Sequence, residues 1–181
     1  MVRETHRRLA LLAVVAVVAT AWVMAFKATG VTPVASAAAA NPKPSVARVA
    51  PCPFPTTLRR AFEVASADAS VPPAMLWAVA KVESNLHADA ESAAGARGLL
   101  QVMPATARAL DLKIDEPSSN VLAGARYLRQ MLDRFHSTDL ALAAYNAGPT
   151  AVTAAGGAPS IDVQRYVSNV TQLWHSVAGC R

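Results

Sequence analysis

Charged and aromatic side chains are scarce in this chain, at 16% and 6%, while 53% of its residues are hydrophobic. A disordered tail needs the opposite balance, so that class is excluded. No stretch alternates apolar and polar residues as a strand does, and no segment repeats at a fixed period, which removes sheet architectures and solenoids. Histidine and cysteine are also rare: His87, His136, His175, Cys52 and Cys180 fall into no HExxH or CxxC spacing, so the sequence offers no metal centre. The formal charge of +5 is largely terminal. Setting aside Arg3, Arg7, Arg8, Lys27 and Glu4 leaves 13 basic against 11 acidic residues, or +2, too little to draw nucleic acid as a partner.

What is present begins with an uncharged run of 18 residues from Leu9 to Phe26, behind the basic start MVRETHRR. Its length lies between a cleaved signal peptide and the roughly 20 residues of a membrane-spanning helix. Residues 1–27 are therefore read as a signal peptide or signal anchor, with a small-residue site at Ala35, Ser36 and Ala37 that lies far from the run. In either case the arginines stay inside and the remainder is exported. Residues 28–54 are rich in alanine and hold Pro33, Pro42, Pro44, Pro51 and Pro53, the composition of an extended tether.

Residues 55–181 form the expected domain. Cys52, just before its first helical pattern, and Cys180, next to last in the chain, could close its ends in an oxidising compartment, or could remain two thiols. An all-α domain is expected, with helices near 56–69, 72–84, 104–110, 117–135, 139–146 and 160–177. In the longest, Val121, Ala125, Leu128, Leu132 and Phe135 make one apolar stripe, Ser118 or Ser119 caps the start, and Arg126, Arg129 and Arg134 take the solvated side. The last uses Val163, Val167, Val170, Trp174 and Val177 in the same way.

One residue breaks this pattern. Leu76, Val79, Ala80 and Glu83 fall at i, i+3, i+4 and i+7, so a carboxylate continues the packing face of its helix. Desolvation there should raise its pKa toward ~6 and suit it to general acid catalysis. The bland alternative turns Glu83 to water or pairs it with Lys81 or Arg97.

Glu83 has company in separated blocks: Ser84 and Asn85, then GLLQVMP from Gly98, then AYNAG from Ala144, then Tyr166 and Val167. With AESAAGARGLLQVMPATA, EPSSNVLAGARYL and GGAPS between them, these blocks resemble the soluble lytic transglycosylase family over about residues 54–177. The resemblance implies a goose-type lysozyme-like helical fold, with Glu83 as the catalytic acid and base. It places Ser84, Gly98, Leu100, Gln101, Tyr145, Asn146 and Tyr166 around the substrate, with Leu100 where the family has methionine and Tyr166 as partner of the carboxylate.

Glycoside cleavage ordinarily takes two carboxylates, and the matched blocks supply one. The resemblance implies a route that manages with one: cleavage of the β-1,4 bond between N-acetylmuramic acid and N-acetylglucosamine in peptidoglycan, closing a 1,6-anhydro ring without water, cofactor or metal. Two other readings are weighed. Asp89 or Glu91 could reach the cleft and make the enzyme a lysozyme-like hydrolase, or the domain could only bind glycan strands within an envelope-spanning secretion or conjugation machine. The expected location is the periplasm or cell-wall space, with a membrane attachment if the first segment is uncleaved.

Overall fold

A computed structural model of the chain describes residues 50–180; the export segment and most of the tether lie outside them. Seven helices follow in order: α1 (Arg59–Ala69), α2 (Pro73–Ser84), α3 (Pro104–Ala109), α4 (Pro117–Phe135), α5 (Thr138–Ala147), α6 (Pro149–Ala155) and α7 (Ile161–Ser176). Among the described residues no strand forms. Two isolated antiparallel bridges, Glu91 with Arg97 and Arg97 with Val102, shape the segment between α2 and α3.

Proline explains several of the starts. Pro73, Pro104, Pro117 and Pro149 each sit at the first turn of a helix, where a missing N–H costs nothing. The expected serine cap of α4 is not made: Glu116 holds the cap position and no side chain bonds there. Serines do cap α5 and α7, where Ser137 accepts from the Leu140 N–H and Ser160 from the Val163 N–H. Helix α6 was not expected from the sequence. It is a short helix, opened by Pro149 and closed by Gly156 in the left-handed conformation, too brief to show an apolar period.

Helix α2 is the most buried of the seven. Its residues from Ala74 to Ala80 are all buried, so this helix is apolar on every side. Helices α1 and α4 pack together, α5 lies on α4, and α7 crosses against α2 and α5. The α4 stripe is buried at Val121, Ala125 and Leu128, but Leu132 and Phe135 are only half-buried and Asn120, Gly124 and Met131 share the inward side. Along α7 the inward side is Val163, Tyr166 and Val170, while Val167, Trp174 and Val177 are half-buried. Arg126 is no free surface group: its guanidinium makes two hydrogen bonds to Asp68, at 2.8 and 2.9 Å, tying α4 to α1.

Cys52 and Cys180 are joined by a disulfide with Cα atoms 4.7 Å apart, 128 positions apart in sequence. The entry of the domain is thereby fixed to the segment after α7. A loop of that length stabilises by up to about 5 kcal/mol in the chain-entropy account.

Candidate active site

The last turn of α2 sets the site. Asn85 adopts φ 52° and its N–H bonds the Lys81 carbonyl, so the helix stops immediately after Glu83 and Ser84. Glu83 therefore projects, half-buried, from the last turn of a helix whose residues 74–80 are core. Across from it, Tyr166 on the inward side of α7 donates a hydrogen bond of 2.7 Å from its phenol to Glu83 Oε1. Neither cation suggested by the sequence meets this carboxylate. Lys81 bonds Asn85, and Arg97 reaches Glu91 at 3.5 Å and Asp115 at 3.3 Å.

Glu83 consequently titrates high. Burial raises its pKa to about 7, against the lowering pull of the Tyr166 hydrogen bond. Tyr145 and Tyr166 are pushed upward by burial and by the nearby Glu83 charge, so both phenols remain donors across the neutral range. A carboxyl group poised between its two forms, with neutral donors around it, can give a proton and take one back.

Ser84, Gly98, Leu100, Gln101 and Tyr145 meet along one strip of backbone, residues 97–102, while neither Glu83 nor Tyr166 lines the recess beside it. Tyr145 donates from its hydroxyl to the Leu100 carbonyl at 2.7 Å, and Ser84 donates to the Leu99 carbonyl at 2.9 Å. A recess of about 260 Å³ opens beside the strip, lined by Gln101, Met103, Tyr127, Tyr145 and Asn146 among others. Asn146 is exposed at its rim.

Three expectations need correction. Leu100 has no exposed surface, and its N–H and carbonyl are both bonded, so it underlies the recess and does not face a ligand. The resemblance places the Gln101 amide at the sugar, but its Nε2 donates to the carbonyls of Ala90 and Gly98, both at 3.0 Å, which leaves Oε1 without a hydrogen bond among the described residues. The Ser84 proton is directed at backbone carbonyls, which makes this side chain a tie between α2 and the strip. Gly98, at φ 73°, lies against the side chain of Asn120, where a Cβ would come within 2.4 Å.

Two further residues shape the site without standing among those the resemblance places around the substrate, Asn120 and Tyr127. Tyr127 lies in the recess with its ring 5.2 Å from that of Tyr145. Asn120 is fully buried and bonds three backbone groups. The available signal was a polar side chain one turn before Gly124 on the inward side of a long amphipathic helix.

The helical framework and the Glu83 corner together define a known class. Residues 60–162 match the Transglycosylase SLT domain, and the chain belongs to that family. It is 39% identical over 85 residues to the transglycosylase of Enterobacteria phage PRD1, covering 46% of this chain and 32% of that one. It is 43% identical over 82 residues to membrane-bound lytic murein transglycosylase F of Cellvibrio japonicus, covering 41% of this chain and 17% of the relative. The chain thus spans a third or less of the length of these relatives. Among solved structures, an inactive mutant of lytic transglycosylase Slt from Pseudomonas aeruginosa superposes with TM-score 0.60 at 26% identity, covering 71% of this chain and 25% of that one. The 70 kDa soluble lytic transglycosylase of Escherichia coli gives 0.61 at 25% identity, covering 68% and 24%. The all-α, lysozyme-like fold expected from the sequence is the fold of these neighbours.

Proposed function

We propose that this chain is an exported peptidoglycan lytic transglycosylase, cutting the β-1,4 bond between N-acetylmuramic acid and N-acetylglucosamine with Glu83 as its one catalytic carboxylate. The observation that carries the proposal is the state of Glu83: recessed, raised to about 7, bonded to one phenol and, among the described residues, paired with no cation. A fixed positive charge beside it would hold the carboxylate ionised and remove the acid.

In the proposed reaction protonated Glu83 donates to the bridging oxygen as the glycosidic bond breaks. The N-acetyl oxygen of the substrate stabilises the anomeric centre. The Glu83 carboxylate then takes the proton from the muramoyl 6-hydroxyl, whose oxygen closes the 1,6-anhydro ring. Tyr166 orients the carboxylate, while Tyr145, Asn146 and the Gln101 Oε1 contact the glycan. In this reading neither Asp89 nor Glu91 acts as a second carboxylate: both are exposed, and Glu91 is turned to Arg97. Residues 1–27 deliver the domain across the cytoplasmic membrane and residues 28–54 tether it in the periplasm or cell-wall space, within reach of an envelope-spanning machine.

Digestion of purified peptidoglycan with the full chain, followed by product mass, tests the proposal. The expected muropeptide is lighter by one water than a hydrolysed one. A hydrolysed product would identify a lysozyme-like hydrolase, and binding without any product would identify a glycan-binding component.

A further inference from the structure

The Gly98 to Gln101 strip touches both halves of the site, yet no helix contains it. Its N–H and carbonyl groups are held largely by side chains, and one of these belongs to no part of the proposed reaction. Asn120, in the first turns of α4, is fully buried. Its Oδ1 accepts from the Leu100 N–H at 2.9 Å, and its Nδ2 donates to the carbonyls of Arg97 at 2.8 Å and Ile114 at 3.3 Å. One turn further along α4, Gly124 leaves room for Leu100, whose Cβ lies 2.4 Å from where a Gly124 side chain would begin.

We infer that Asn120 and Gly124 form a seat on α4 that positions the strip, with Asn120 a positioning residue for glycan binding that acts through Leu100, Gln101 and Tyr145. This inference rests on the proposed function. The reasoning is mechanical. Asn120 fixes the height of the Leu100 backbone by a hydrogen bond, and Gly124 fixes how closely that backbone approaches the helix. The Leu100 carbonyl then sets the Tyr145 hydroxyl, and Gln101, held at φ 44°, follows in the chain. Sites tolerate displacements of only about half an ångström in such supports.

The test uses the full chain and insoluble peptidoglycan. In a Glu83→Gln background, which separates binding from turnover, Asn120→Ala is expected to weaken peptidoglycan retention about tenfold. In the active chain it raises KM more than it lowers kcat, and the pH at which the Glu83 limb of the rate profile turns stays unchanged. Gly124→Ala provides an independent route, because it removes no hydrogen bond and favours the helix while pushing Leu100 away. It is expected to weaken retention in the same direction, and it serves alone if Asn120→Ala does not fold. Folded variants with unchanged retention and KM, showing only a lower melting temperature, overturn the inference. Failure of the Glu83→Gln chain to be retained at all, or absence of product from the unaltered chain, would instead overturn the proposed function.

Discussion

Two carboxylates in this molecule hold opposite ends of the same chemistry. Glu83, in the corner between α2 and α7, is recessed, accepts one hydrogen bond from a neutral phenol, and titrates near 7. Asp68, on the outer seam between α1 and α4, is open to water and accepts hydrogen bonds from Nε and Nη2 of Arg126, which hold its pKa below the usual value. Pairing makes Asp68 inert, since a group that is always ionised has no proton to give. In the proposed reaction isolation is what leaves Glu83 a proton to give, and the cost is a carboxylate whose ionised form the fold disfavours.

Replacing the isolated member should give the largest effect. Glu83→Gln is expected to reduce release of muropeptide by at least about 10³-fold, read from product yield. The same substitution should stabilise the protein at alkaline pH. With a folded pKa raised from 4.5 to about 7, the folded state binds more protons than the unfolded one between those values, so stability falls as pH rises through that window. The full penalty above it is on the order of 3 kcal/mol. Glu83→Gln should therefore melt higher than the unaltered chain at pH 8 and alike at pH 4. Equal melting at both pH values would mean that Glu83 is hydrated and the contrast with Asp68 is false.

Tyr166→Phe sharpens the comparison by deleting the one polar partner that Glu83 has among the described residues. The hydrogen bond lowers the Glu83 pKa, so its loss should carry that value further above 7. The expected result is about a tenfold loss of rate at neutral pH, with the Glu83 limb of the pH–rate profile moved to higher pH. A limb moved to lower pH would assign the phenol some other role.

Much of this corner was legible in the sequence because its logic is local. The spacing of Leu76, Val79, Ala80 and Glu83 marks a carboxylate on an inward side of α2, although the helix proves buried all round, and the blocks around Tyr145 and Tyr166 carry residue types that read alike wherever the chain folds them. What escaped was set by contacts between distant segments. Nothing in the spacing of Gln101 shows that its amide nitrogen will be consumed by Ala90 and Gly98, and nothing near Asn120 shows that it will meet Leu100, 20 positions earlier. The serine cap assigned to α4 failed for a related reason: Pro117 fixes the first turn and leaves Glu116, not a serine, at the cap. Arg126 was read as a solvated charge because its partner Asp68 is 58 positions away.

The paired member should give the smallest effect. Asp68→Asn removes a surface ion pair whose two groups remain hydrated, and such pairs are screened by salt and offset by the ordering of long side chains. Its pKa is lowered on folding, so whatever it contributes is present above the ordinary value of 3.8 and is lost as pH falls through the lower folded value. The variant should melt slightly below the unaltered chain at pH 7, approach it in high salt, and release muropeptide at the same rate. The comparison breaks if Asp68→Asn lowers turnover as Tyr166→Phe does. In that case the α1–α4 seam would transmit strain to the recess through α4, and the Asn120 seat would depend on how Arg126 anchors that helix two turns further on.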